Sequence, residues 1–360
     1  MQTKATGFSI AKLSGVLAVA ALTLTACTPP MPPEVKAAML EQTHICVNGD
    51  TNVGVGESMT DALSMISGSV TTSCTGMNIL QAQPGQGSPI EIAAGNSVAN
   101  CKATATVPYA FDAGVLVVSL SAAGSVALTP KTIGKIFDGS ITSWDDAAIT
   151  NDNSGTILPT EPIIVEPISD TYAVTAFSNW YKQLTGKVLN TSKLQPTRNV
   201  SVAQLGTLPE GSISLLPYST FTNYAVTAMT IPLPVGVVLD AVNNPGGVLP
   251  DINGISSAGT QFSYSKTSSK ISVKLNTSTK PIPPLGSDIA PEPYEASYLV
   301  NLNLCGNASK ATRAAAVYLL RQDSQGSLTA LVPLTETLRA QSLDIVSQGL
   351  PQPKITPPAN

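Results

Sequence analysis

Residues 113–120, Ala-Gly-Val-Leu-Val-Val-Ser-Leu, form one continuous apolar run rich in valine. Eight such residues without polar alternation fit a strand buried on both faces. A strand of that kind needs covering layers on either side, and the rest of the chain supplies them. Apolar spacing predicts helices over 59–66, 129–137, 170–184, 309–321 and 335–347, with a helical turn over 144–149. Short β-like runs fall at 78–81, 90–94, 163–166, 212–217 and 298–304. Residues 235–285 alternate brief β-like runs with Gly, Pro and Asn, which predicts hairpins and loops. Strands alternating with helices mean an α/β fold. Ser58 and Gly68 would bound the first helix. Ser169-Asp170 would cap the third, with Gly186 past its end and Ala173, Phe177, Trp180, Tyr181 and Leu184 on its apolar face.

The first 26 residues read as an export leader. Lys4 and Lys12 precede a short apolar run over 13–25, and Leu24-Thr25-Ala26 then places small residues before Cys27. The run is too short for a spanning helix. A cysteine at that point is the lipidation site of a bacterial lipoprotein, where an acyl group such as palmitate anchors the chain outside the cell membrane. Residues 27–36 then form the lipidated cysteine and a stiff proline-rich tether.

Losing the leader would leave 17 basic against 23 acidic side chains, a net charge of −6. That balance excludes a basic nucleic-acid footprint. About 320 residues remain beyond the tether, enough for one two-lobed protein or two domains. Four cysteines stay in the exported part: Cys46, Cys74, Cys101 and Cys305. An even number in an exported chain predicts two disulfides, and three pairings are open. Neither a CxxC pair nor a histidine cluster points to a metal, and no cofactor motif is present.

Enzymatic readings fail on the histidine. Residues 56–61, Gly-Glu-Ser-Met-Thr-Asp, look like the nucleophile block of GDSL-type esterases, but a serine there needs a histidine base downstream. The only histidine is His44, upstream. Cys46 beside it is spoken for by a disulfide. The chain is therefore read as a non-enzyme.

Five ordered segments resemble the substrate-binding proteins of phosphate ABC importers, the PstS-like branch of type II periplasmic binding proteins. They are VPYAFDAGVLVVSL (107–120), LTPKTIGKIFDGSITSWDDAAI (128–149), IIVEPISDTYAVTAF (163–177), LPEGSISLLPY (208–218) and the stretch 304–346 with Val332-Pro333-Leu334. The resemblance spans most of 77–347 and is weak over 220–295. It implies two α/β lobes joined by crossing hinge strands, with ligand clamped between them. Lobe one would be 37–115 plus 300–347 and lobe two 116–299, with a disordered tail over 348–360. The hinge would lie near 115–120 and 298–304. Cys101 and Cys305 would then both sit in lobe one beside the hinge, which implies the pairs Cys46–Cys74 and Cys101–Cys305.

The resemblance also implies an anion site built from helix starts, where backbone N–H groups are unpaired and the helix dipole favours negative charge. Ser169, Asp170, Thr171 and Thr175 would supply one side. Gly56, Glu57, Ser58 and Thr60 would supply the other, with Asn96 where the family carries an aspartate. Departures stand beside the matches. Ile168 occupies the family's arginine position, and Thr171 and Ala173 put side chains at the two glycine positions of its anion loop. Arg198 is the one arginine near these loops. The implied function is capture of phosphate or a related oxyanion by a monomeric, lipid-anchored protein that serves an ABC permease. The alternative is a retained fold with a degenerate anion site, used as a surface interaction, sensory or adhesive module. A cleft plugged by Ile168 and Tyr172 would favour that alternative.

Overall fold

The computed structural model describes residues 31–95, 97–198, 200–227 and 232–352. The leader, Cys27, Asn96 and the tail past 352 lie outside the described residues. In chain order the elements are α1 (Pro33–Gln42), β1 (Gly49–Gly54), a 3-10 turn (Glu57–Met59), α2 (Thr60–Ser73), β2 (Met77–Ala82), β3 (Ile90–Ala94), β4 (Ala103–Ser119) and β5 (Val126–Leu128). There follow α3 (Pro130–Asp138), α4 (Ala147–Asp152), β6 (Ile164–Asp170), α5 (Thr171–Thr185), β7 (Gln195–Thr197), α6 (Val202–Leu205), β8 (Ser212–Pro217) and α7 (Tyr218–Thr227). The last are β9 (Leu233–Val237), α8 (Ile252–Gly259), β10 (Phe262–Lys266), β11 (Ile271–Leu275), β12 (Ser297–Cys305), α9 (Lys310–Leu319), α10 (Gln322–Gly326), β13 (Val332–Pro333) and α11 (Glu336–Val346).

One mixed sheet runs β2-β1-β3-β12-β4-β8-β6-β7. Strand β4 is its spine. The apolar run over 113–120 is only its second half, and every residue from 105 to 118 is buried. Residues Ala103–Ala113 pair antiparallel with β12, and Gly114–Ser119 pair antiparallel with β8. The chain thus passes from one half of the sheet to the other along a single strand. Pro108 sits mid-strand because the ladder bulges there: Asn301 faces Pro108 and Val300 faces Ala110, which leaves Tyr109 as the extra residue. A proline inside a sheet is tolerated at such a bulge because no ladder N–H is demanded of it.

Helices cover both faces as the doubly buried strand requires. Helix α5 packs on β4 with Ala173, Phe177, Trp180 and Tyr181 buried, but Leu184 at its end stays exposed. Helix α2 runs through Gly68 to Ser73, past the expected stop, and Ser58 makes no cap bond. The roughly 1 kcal/mol cost of a helical glycine is outweighed by burial of Leu63, Ile66 and Val70. Helix α1 was not foreseen and opens at Pro33, inside the stretch expected to be tether. Proline suits a first helical position. Arg321 holds the far end of α1 by donating to the Leu40 and Glu41 carbonyls at 2.9 and 3.1 Å. Arg339 reaches Glu41 as well, so α1 is tied to α11.

Helix α8 was likewise not expected, whereas the β10–β11 hairpin falls within 235–285, where hairpins were expected. The hairpin docks through Lys266 onto Asp344 of α11 at 2.5 Å, and Phe262 packs on Phe111. Both expected disulfides are present, Cys46–Cys74 and Cys101–Cys305. No helix among the described residues is long and apolar enough to cross a membrane.

Candidate functional site

A cleft of about 540 Å³ opens where β4 changes partners. The carboxyl ends of β1 and β3 face it from one side, through Gly56, Glu57, Ser58, Ala93 and Ala94. The carboxyl ends of β6 and β8 face it from the other, through Asp170, Pro217 and Ser219. Ligands of open α/β sheets bind at such carboxyl ends, where the strand order reverses.

Asp112 lies at the bottom. It is the only charged residue in the buried stretch of β4 and is almost fully buried itself. The Ala113 and Ser219 amides donate to Oδ1 at 2.8 and 3.0 Å, and the Ser219 hydroxyl donates to Oδ2 at 2.6 Å. Tyr298 stands at the directly opposed position on β12, and burial beside this carboxylate pushes its phenol well up. Burial pushes the Asp112 carboxyl up to about 6, and these hydrogen bonds hold it from going further.

Asp170 ends β6 and caps α5. Its Oδ1 accepts from the Tyr172 and Ala173 amides at 2.7 and 2.9 Å. Burial pushes this carboxyl up to about 6 as well. The helix-start amides expected to hold an anion are therefore occupied by the chain's own side chain. Tyr172 lies over the cleft beside Tyr298, with ring centroids 6.2 Å apart. Its ring fills the space above Gly95, where a side chain at position 95 would collide with the phenol.

Two bonds cross the mouth. Arg198 Nη1 donates to the Ser97 carbonyl at 3.2 Å, and the Val202 amide donates to Glu57 Oε2 at 3.0 Å. With Ser58, Ser97, Ser201 and Thr220, the lining combines hydroxyls, one guanidinium and three carboxylates.

The structure brings Gly56, Ser58 and Asp170 together here. Four expected residues do not line the cleft. Ser169 is buried and donates to the Pro167 carbonyl. Thr171 donates to the Thr197 carbonyl, and Thr175 is exposed and donates back to Thr171. They miss because Asp170 and Tyr172 are the residues of this helix start that face the gap. Thr60 pairs with Gln81 instead. Ile168 packs at the edge of the core and does not plug the cleft. Asp112 and Tyr298 were missed as lining, whereas Tyr172, expected at the cleft, does face it. A lone acid inside an apolar strand was the available signal for Asp112.

The two raised carboxyls have a consequence for stability. An acid whose folded value lies above its unfolded one adds stability that is full at low pH and is lost as pH climbs through the folded value. Here that window runs from about 4 to about 6. Each group then gives up on the order of 2–3 kcal/mol. The lowered Asp344 acts in the opposite sense, and its window lies below 4. The melting temperature should therefore be several degrees higher at pH 5 than at pH 8, with Asp112→Asn flattening the slope. A melting temperature that rises between pH 5 and pH 8 would contradict the assignment.

No family model matches this chain, and no curated protein matches it. Solved structures do. The structure of a high-affinity periplasmic phosphate-binding protein, PfluDING, bound with phosphate, is 17% identical with a TM-score of 0.51. The match covers 85% of this chain and all of that one. An ABC-type phosphate transport receptor from Vibrio cholerae is 12% identical with a TM-score of 0.43, over 79% of this chain and 99% of that one. The likeness shows the fold: a mixed α/β, PstS-like, two-lobed periplasmic-binding-protein architecture.

Proposed function

We propose that this chain is an extracytoplasmic solute-binding lipoprotein, and not an enzyme, that captures a phosphate-class oxyanion in the cleft for an ABC importer. The observation that carries the reading is the cleft itself, at the carboxyl ends of strands from both halves, with Arg198 and hydroxyls on its walls. Phosphate is the ligand of the similarly folded PfluDING protein, which makes it the first solute to test. A protonated oxyanion suits these walls better than a fully ionised one. Its O–H groups can donate to carboxylate, while its charged oxygens accept from Arg198 and the serines. We propose lobes of 37–115 with 300–347 and of 116–250. Residues 251–296 go with the first lobe, since the hairpin docks on α11.

Titration calorimetry of the full chain with phosphate and sulfate tests the reading. Phosphate should bind, and Arg198→Ala should weaken it by about 10-fold or more, the worth of one charge-assisted hydrogen bond. No heat with either anion would end it. Labelling with palmitate, lost in Cys27→Ala, tests the anchor.

A second reading, a retained fold serving as a surface interaction module, has one observation in its favour. The first amides of α5 are used up by Asp170, and Ile168 supplies no donor.

A further inference from the structure

Asp170 is left with an acceptor that none of the described residues uses. It is only 4% exposed and lines the cleft, and both amides it caps donate to Oδ1. Among the described residues Oδ2 accepts no hydrogen bond, and no Lys or Arg pairs with this carboxylate. Asp112 nearby is different, because both its oxygens are filled. Ile168, two positions earlier on the same strand, brings no charge to Asp170.

The rest of the lining points the same way. Three carboxylates, Glu57, Asp112 and Asp170, stand against the single guanidinium of Arg198. A fully ionised anion would meet net repulsion there. The rings of Tyr172 and Tyr298 flank the same corner, and aromatic faces attract cations. The volume of about 540 Å³ also exceeds what a tetrahedral ion fills and lies in the range of organic ligands.

We propose that the solute is an oxyanion carrying a protonated amine, of the aminoalkyl phosphate or phosphonate class, with the ammonium donating to Asp170 Oδ2 between the two tyrosines. The oxyanion end lies toward Arg198 and the serine hydroxyls. This rests on the oxyanion reading above and specifies the substrate class of the same site.

Calorimetry on the full chain at pH 7.5 tests it with three probes: inorganic phosphate, ethyl phosphate and O-phosphoethanolamine. The amine-bearing probe should bind at least about 10-fold tighter than ethyl phosphate, as one charged hydrogen bond would give. Asp170→Asn should bring that ratio close to one by weakening the amine-bearing probe, while ethyl phosphate, which then faces one carboxylate fewer, should bind no more weakly than to the parent. Asparagine is as good a helix cap as aspartate, so α5 keeps its start, and an unchanged thermal melt checks this. Equal binding of the two organic probes, or a ratio that survives Asp170→Asn, overturns the inference and leaves the oxyanion reading standing. Absence of binding by all three probes overturns both.

Discussion

Valine in place of Gly114 should cost at least about 3 kcal/mol of stability and abolish ligand binding together. Gly114 is where β4 leaves β12 for β8, and α5 crosses it there. A Cβ at this position would run into the backbone of Ala173, with its carbonyl carbon at 2.8 Å and the carbonyl oxygen nearer still. Backbone cannot rotate aside as a side chain can. The strand cannot retreat either. The Gly114 amide donates to the Ala296 carbonyl at 2.9 Å, and its carbonyl accepts from the Tyr294 hydroxyl at 2.9 Å. Tyr294 in turn packs on Trp180 of α5, ring centroids 4.9 Å apart. The helix must therefore move, and Asp170 moves with it. Urea denaturation and calorimetry on the same preparation check both effects. A variant that melts within 0.5 kcal/mol of the parent would mean that α5 does not approach β4 as described.

Loss of the Cys101–Cys305 bridge should be the costlier of the two disulfide deletions. It closes a sequence separation of 204 residues, whereas Cys46–Cys74 closes 28. Cross-linking lowers the entropy of the unfolded chain in proportion to the logarithm of the loop, which gives about 5 kcal/mol for the long loop and about 3.5 kcal/mol for the short one. The long bridge joins the segment entering β4 to the end of β12, whose Cys305 pairs with Ala103 in the ladder. It thus pins the two central antiparallel strands at their outer end. Denaturant midpoints of Cys101→Ser/Cys305→Ser and Cys46→Ser/Cys74→Ser measure the order. The reverse order would show that strain or residual unfolded structure outweighs loop entropy here.

Elements whose start and stop are written locally were legible in advance. Helix α3 begins at Thr129, whose hydroxyl accepts from the Thr132 amide at 3.2 Å. Helix α5 begins at Asp170 and ends at Gly186, which is left-handed. Helix α8 and the length of β4 were not legible. Residues 252–259 are short and glycine-bounded, and only packing against β4 and β13 makes them helical. The residues before Ala113 include Pro108, which reads as a break until the bulge opposite Asn301 accommodates it.

The site divides in the same way. Gly56, Ser58 and Asp170 could be found because each stands at a helix start, a local feature. Asp112 and Tyr298 are 186 positions apart and become neighbours only through the β4–β12 register. By itself the sequence determined the class of fold and those elements whose caps are written locally, such as α3 and α5, since these follow from periodicity and short-range hydrogen bonds. Only the tertiary structure decided which acids share the cleft and that Asp170 spends one oxygen on its own helix, with no partner for the other among the described residues. Strand register and helix crossing place those groups, and neither is written in any local stretch of chain.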